Sequence, residues 1–220
     1  MRTVQEIYDE YRIPPWLQLH QLRVAAVGKI VAQSMAGADV QTVIRACLLH
    51  DMGSIVKFDF SSDIGLEQFY EAKGVDYWIG IQKEFRAKYG EKEHEATDAI
   101  LRELGVTDNV RILVGSSGLA KVRDILEHGS TELQILEYAD QRVGLHGVLP
   151  LVERLADMKK RYSPRWGKDS YIAREQQFDT SAANVLLLEP TLQRHSSIQL
   201  ANINDAVVTP LLDELRAFKI

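Results

Sequence analysis

Three segments of the chain place a side chain that could bind a metal ion among apolar residues with helical spacing. His20, His50 and Asp140 each lie on the apolar face of a predicted helix, and Asp51 follows His50 directly. A buried carboxylate is costly unless it is paired, hydrogen-bonded or bound to a metal ion. Imidazole nitrogens and carboxylate oxygens suit divalent Zn, Mn, Fe, Co and Ni. The four residues are therefore candidate ligands of a divalent ion.

Each of these residues also has an ordinary structural interpretation when it is taken alone. A single histidine on an apolar face is more often a hydrogen-bonded core residue than a ligand. A single aspartate on such a face is more often one half of an ion pair, and Asp140 has Arg23, Arg123 and Arg142 as candidate partners in this chain. Periodicity alone therefore does not establish a metal site.

The order of the four residues along the chain resembles the HD superfamily of metal-dependent phosphohydrolases, whose pattern is H…HD…D on an all-helical bundle. The segments that carry the resemblance are LQLHQLRVAAVGKIVA, RACLLHDMGSIVKFD and ILEYADQRVG, within about residues 16–145. The resemblance implies an all-α fold and one divalent transition metal ion (Mn, Fe, Co, Ni or Zn). Its ligands would be His20, His50, Asp51 and Asp140, and a metal-activated water would hydrolyse a phosphate ester of a nucleotide or another small phosphometabolite.

The resemblance also suggests which residues act on the substrate. Asp51 would orient or deprotonate the attacking water. Arg23 shares a helix face with His20, so it would hold a phosphate or form a salt bridge with a buried carboxylate. Lys57 would reach the phosphate or remain a solvated loop residue. His94 would contact phosphate or a second metal ion, or lie on the surface. We therefore expect Asp51, Arg23 and Lys57 to be catalytic, and Arg23, Lys57 and His94 to bind substrate.

Two departures from the superfamily pattern keep an alternative function open. Ser54 stands where the subgroups have a lysine or a catalytic glutamate, and Ser116 and Ser117 stand where a two-metal subgroup has further histidines. One metal ion is therefore favoured over two. The alternative is a catalytically weak regulatory module that binds a metal ion and a nucleotide. The pattern does not distinguish a phosphomonoesterase from a phosphodiesterase.

Helical periodicity, proline and glycine positions predict the elements that hold these residues. Helices are expected at about residues 3–12, 16–35, 40–51, 65–73, 76–89, 92–104, 107–114, 119–127, 131–145, 150–161, 169–188 or beyond Pro190, and 204–218, with a loop at 52–64. We expect an HD-type metal-binding core at residues 1–163. Residues 164–220 would form a helical extension packed on that core.

Composition limits the classes of function without choosing among them. The 220 residues are 45% hydrophobic and 26% charged, with a net charge of −5, which argues against a dedicated nucleic-acid or membrane-binding surface. Cys47 is the only cysteine, the N-terminus lacks an apolar signal segment, and no apolar run is long enough to span a membrane. We expect a cytoplasmic protein that acts on a small phosphorylated substrate. The apolar C-terminal helix suggests a homodimer.

Overall fold

The computed structural model describes residues 1–60 and 73–220, which form a bundle of α-helices without a β-strand in these ranges, and this confirms the all-α class. The helices are α1 (Val4–Glu10), α2 (Pro15–Gln33), α3 (Val40–Leu49), α4 (Val75–Tyr89), α5 (Glu93–Glu103), α6 (Asp108–Ser116), α7 (Val122–His128), α8 (Thr131–Arg142), α9 (Leu151–Tyr162), α10 (Tyr171–Gln193), α11 (Asp205–Val208) and α12 (Leu212–Arg216). No described helix combines the length and the apolar character that a bilayer crossing requires.

Capping residues start several helices where the sequence predicts a start. Thr3 and Glu6 form a capping box at α1, and Asp39 accepts a hydrogen bond from the backbone N–H of Thr42 at α3. Ser130 accepts one from the N–H of Leu133 at α8. Pro15 occupies the first position of α2, where its missing N–H costs nothing.

Helix α2 is buried along most of its length and packs against α3, α8 and α12. The contact with α3 is closest at Gly28, where a Cβ atom would lie 2.7 Å from Sγ of Cys47 and 3.2 Å from Val43. A larger residue would force the two helices apart. The close approach therefore places the helices that carry His20 and His50 side by side.

The buried side chain of Arg142 ties α8 to the C-terminal part of the chain. Its Nε donates to the carbonyl of Leu149 at 2.6 Å, and its Nη groups donate to the carbonyls of Leu200 (3.1 Å) and Ile203 (2.7 Å). It also pairs with Glu189 on α10 at 3.2 Å, so it is not the partner of Asp140 that the sequence allowed. The division at residue 163 stays a prediction.

The main departure from the predicted elements lies near the C-terminus. The single helix expected at residues 204–218 is instead α11 and α12, separated by a 3-10 turn at Thr209–Leu211. Pro210 lies in that turn, and its lack of an N–H removes a helical hydrogen bond. Helix α10 continues through Pro190 to Gln193. The predicted loop at 52–64 contains a 3-10 turn at Ser54–Lys57, and the predicted helix at 65–73 lies outside the described residues except for Lys73.

Candidate metal centre

The structure brings the four predicted ligands together at one end of a cavity, and we call them the ligand floor. Nε2 of His20 lies 3.1 Å from Oδ1 of Asp140 and 3.8 Å from Oδ2 of Asp51. Nε2 of His50 lies 3.5 Å from Oδ1 of Asp140 and 3.6 Å from Oδ2 of Asp51. Helices α2, α3 and α8, with the turn after α3, therefore direct two imidazole nitrogens and two carboxylate oxygens at one point.

The hydrogen bonds of His50 leave one of its ring nitrogens suited to a metal ion. Its Nδ1 donates to the backbone carbonyl of Cys47 at 2.8 Å, which fixes the ring so that Nε2 is the nitrogen that faces the carboxylates. Nε2 is buried and makes no hydrogen bond within the described part of the chain. A buried nitrogen without a hydrogen bond, facing two carboxylates, fits a divalent cation held by His20, His50, Asp51 and Asp140.

The charges of the ligand floor are mutually dependent. Burial would lower the pKa of His50, but the nearby carboxylates of Asp51 and Asp140 raise it to about 9. Burial would raise the pKa of Asp140, but a hydrogen bond from His20 and the positive charge of His50 hold it well below its usual value. Asp140 is therefore ionised, as a metal ligand must be. A bound cation would displace the proton of His50, so metal binding should release a proton.

Asp51 is held from two sides in the turn that follows α3. Its backbone N–H donates to Oε1 of the buried Gln21 at 3.2 Å. The hydroxyl of Ser54 donates to its Oδ1 at 2.8 Å. These contacts leave Oδ2 as the oxygen that faces His20 and His50.

The predicted substrate-binding residues lie on the walls of the same cavity, which has a volume of about 410 Å³. Arg23 lines it and also lies 3.6 Å from the half-exposed Asp205. Lys57 lines it from the 3-10 turn and hydrogen-bonds to Glu93, so it is not a freely solvated lysine. His94 is exposed at its edge, outside the group formed by His20, His50 and Asp140. Within the described ranges, that group is the only close cluster of metal-ligating side chains, and it excludes His94.

The comparison with known families agrees with this geometry. The model of the HD domain matches residues 18–141, more than half of the chain and all four residues of the ligand floor. The chain belongs to the HD domain family. No curated protein and no solved structure gives a match. HD domains bind divalent metal ions and are generally hydrolases, in a superfamily of metal-dependent phosphohydrolases.

Sequence reasoning did not identify Glu93 as a residue of this HD domain site. Its carboxylate on α5 accepts a hydrogen bond from Ser54 and another from Lys57. Helix α5 comes this close because residue 53 is glycine: a Cβ atom there would lie 2.5 Å from the backbone nitrogen of Thr97. The signal was a glutamate in the first turn of the helix, one residue before His94, which attracted attention only for its imidazole.

A second group that sequence reasoning missed lines the cavity beyond the HD domain match. Arg154 and Arg161 lie on α9, and Arg165 follows in the next turn; we call these three residues the arginine wall. Spacings of seven and four residues would place them near one another along one side of a helical segment. The available signal was therefore the repeated arginines in this stretch of the sequence.

Proposed function

We propose that this HD-domain protein is a metal-dependent phosphohydrolase that cleaves a phosphate ester of a nucleotide or another small phosphometabolite. The proposal depends on one observation. The ring nitrogens of His20 and His50 converge with the carboxylates of Asp51 and Asp140 at the end of a cavity that also carries Arg23 and Lys57. A divalent ion held there would lower the pKa of a water molecule and neutralise negative charge on the phosphoryl group.

The side chains around the ligand floor supply binding and orientation. The guanidinium of Arg23 is 18% exposed and can donate two parallel hydrogen bonds to phosphate oxygens. Lys57 is half exposed; desolvation opposes its charge, but the carboxylates of Asp51 and Glu93 raise the pKa of its ammonium, so it stays protonated. Two fixed cations at the walls would hold the phosphate and stabilise the charge that develops during hydrolysis.

The contact between Ser54 and Glu93 provides a path for a proton. Asp51 would accept a proton from the attacking water, in the role that the resemblance gives it. The Ser54 hydroxyl has one hydrogen, and it lies between Oδ1 of Asp51 and Oε1 of Glu93. A proton that reaches Asp51 can therefore pass through Ser54 to Glu93. Glu93 would in this way serve where the superfamily pattern has a glutamate and this chain has serine.

The alternative function is a regulatory module that binds a metal ion and a nucleotide with little turnover. Ser54 favours this alternative, because a serine cannot replace a carboxylate as an acid or base. Glu93 favours the enzyme, because it brings a carboxylate to the same hydroxyl. Both functions require a bound metal ion, but only the enzyme turns over a substrate.

The proposal extends to the setting of the protein. We propose a cytoplasmic location, one transition metal ion, and a small phosphorylated substrate as the partner. A second metal ion near His94 is less favoured, because that exposed imidazole lies outside the ligand cluster. Nucleic acid and membranes are not expected partners, and a homodimer formed through the C-terminal helix stays a prediction.

Metal content and turnover of a substrate panel test the proposed function. The purified protein would be assayed for bound metal and then incubated with Mn²⁺ or Co²⁺. The substrates would be p-nitrophenyl phosphate, bis(p-nitrophenyl) phosphate and nucleoside monophosphates, which also separate monoesterase from diesterase activity. His50→Gln is the test variant and His128→Gln its control, because His128 is 72% exposed on α7 and lies 3.9 Å from Glu127.

The two functions give different results in this assay. A phosphohydrolase shows metal-dependent release of phosphate or p-nitrophenol that His50→Gln abolishes and His128→Gln preserves. A regulatory module binds the metal ion through His50 and turns over none of the substrates. Equal metal binding and turnover by wild type and His50→Gln would show that the site has been assigned wrongly.

A further inference from the structure

The cavity of the HD domain carries more positive charge than the rest of the molecule would suggest. Five cationic side chains line it: Arg23, Lys57, Arg154, Arg161 and Arg165. Four carboxylates line it as well: Asp51, Asp59, Glu93 and Asp140. The whole chain has a net charge of −5. Because two of the four carboxylates are proposed metal ligands, a bound divalent ion would increase the local excess of positive charge.

Arg154 in the arginine wall has a donor group for which residues 1–60 and 73–220 supply no acceptor. Its side chain is only 11% exposed, and its Nε donates to the carbonyl of Val143 at 2.8 Å. Its Nη1 is buried and makes no hydrogen bond in the described part of the chain; the nearest acidic oxygen, Oδ2 of Asp157, lies 3.6 Å away. A buried guanidinium donor without an acceptor is costly unless a ligand supplies one.

The carboxylate nearest to Arg154 is already engaged by Arg161. Oδ2 of Asp157 accepts hydrogen bonds from Nε of Arg161 at 3.0 Å and from its Nη2 at 2.8 Å. Burial lowers the pKa of Arg154; the charge of Asp140 opposes this, and the charge of Arg161 lowers the pKa further. The one carboxylate within 4 Å of Arg154 is hydrogen-bonded to Arg161, so an anion in the cavity would supply the acceptor that Nη1 of Arg154 lacks among the described residues.

We propose that the arginine wall is a subsite for a second phosphoryl group, so that the substrate is a phosphate ester that carries another phosphate. This inference rests on the proposed function, in which the ligand floor takes the phosphate that is cleaved. Arginine binds phosphate through two parallel hydrogen bonds, and a volume of about 410 Å³ suits a small metabolite. The HD domain match ends at residue 141, so the wall belongs to this chain and not to the matched part of the family.

Binding of inorganic pyrophosphate to the metal-free protein tests the subsite without turnover. Isothermal titration calorimetry would compare wild type with Arg154→Met and Arg161→Met. Arg123→Met is the control, because Arg123 is 77% exposed, pairs with Glu127 and lies outside the cavity. We expect each wall variant to weaken pyrophosphate binding by roughly tenfold or more and the control to leave it unchanged.

Two further probes in the same titration identify the anion. Orthophosphate and succinate should bind wild type more weakly than pyrophosphate, because neither offers two linked phosphoryl groups. Equal binding of succinate and pyrophosphate would overturn the assignment to phosphate. Unchanged pyrophosphate binding in Arg161→Met would overturn the subsite itself. Arg161 is partly exposed at 16%, so this variant should stay folded if Arg154→Met does not.

Turnover of the metal-loaded protein separates this proposal from the proposed function. KM would be compared for a nucleoside 5′-monophosphate and the corresponding 3′,5′-bisphosphate. A lower KM for the bisphosphate that Arg161→Met removes supports the subsite. Equal KM values for the two substrates, unaffected by Arg161→Met, overturn the subsite and leave the phosphohydrolase standing. Wall-dependent pyrophosphate binding without turnover of any phosphate ester overturns the enzyme and leaves the anion subsite standing.

Discussion

The ligand floor and the arginine wall face the same cavity, but they balance their charges in different ways. In the floor, each of two imidazole nitrogens lies 3.1–3.8 Å from an oxygen of each of two carboxylates. In the wall, two arginines lie within 3.6 Å of the carboxylate of Asp157, and Nη1 of Arg154 has no acceptor among the residues that the structure describes. The floor thus contains the components of a cation site, whereas the wall lacks an anion.

This difference suggests that the floor carries out the reaction, whereas the wall selects the substrate. The floor lies wholly within the HD domain match and contains the ligand types that the family chemistry requires. The wall lies outside that match, where a different sequence would change the charge of the cavity without touching the metal ligands. We therefore expect floor variants to change metal binding and turnover, and wall variants to change substrate binding.

The largest expected effect comes from removing Arg142, whose hydrogen bonds connect the helix that carries Asp140 to the segment that leads to the arginine wall. Arg142 lies at the end of α8, which carries Asp140, and its bond to Leu149 fixes the segment that leads into α9. Arg142→Met would leave several buried carbonyls without a donor, so we expect the free energy of unfolding to fall by about 4 kcal/mol. Urea denaturation measures this loss. The free energy of unfolding of the control Arg123→Met should lie within about 0.5 kcal/mol of wild type. A similarly small change in Arg142→Met would show that Arg142 does not hold these segments together.

The next effect should be confined to the floor. Asp140→Asn removes a charged ligand, so we expect Mn²⁺ affinity to fall by about 3 kcal/mol, or roughly a hundredfold. Pyrophosphate binding to the metal-free variant should be unchanged or tighter, because a negative charge near the wall is lost. Calorimetric titration with each ligand measures both, and Asp179→Asn is an exposed control on α10. Weaker pyrophosphate binding by Asp140→Asn would mean that floor and wall are not independent.

The floor, with Arg23 and Lys57 beside it, could be predicted from the sequence, whereas Glu93 and the arginine wall could not. His20, His50 and Asp140 stand out because helical spacing puts polar groups where apolar ones are expected, and because their order matches a known pattern. Glu93 lies 39 residues from Ser54, and their contact depends on the close packing at Gly53. The face that α9 presents to the cavity depends on the path of residues 143–150, which carries no local signal. Spacing along one helix is local information, but packing between distant segments is not.

A substitution in the proton path from Asp51 through Ser54 to Glu93 should have a smaller effect than the loss of a metal ligand. Glu93→Gln keeps the shape of the side chain but removes the proton acceptor, so we expect kcat to fall by about 2 kcal/mol, or roughly thirtyfold. Metal content should not change. Glu95→Gln is a matched control two residues along the same helix, where Glu95 pairs with the exposed Lys92. If Glu93→Gln lost metal as well as turnover, Glu93 would be acting on the floor and not through Ser54.

The smallest expected effect concerns Glu137 on α8, whose carboxylate is fully buried. Burial raises the pKa of Glu137 to about 7, and the charge of Asp140 contributes. Because the folded protein favours the neutral form, this group removes stability as the pH rises from its unfolded value near 4.5 through 7.

Glu137→Gln should remove that pH dependence. Between pH 5 and pH 8, wild type should lose on the order of 1 kcal/mol more stability than the variant. Urea denaturation at the two pH values measures the difference, with the exposed Glu127→Gln as control. Equal losses of unfolding free energy in wild type and Glu137→Gln would show that Glu137 is ionised at both pH values. Its negative charge would then add to the charges of the ligand floor.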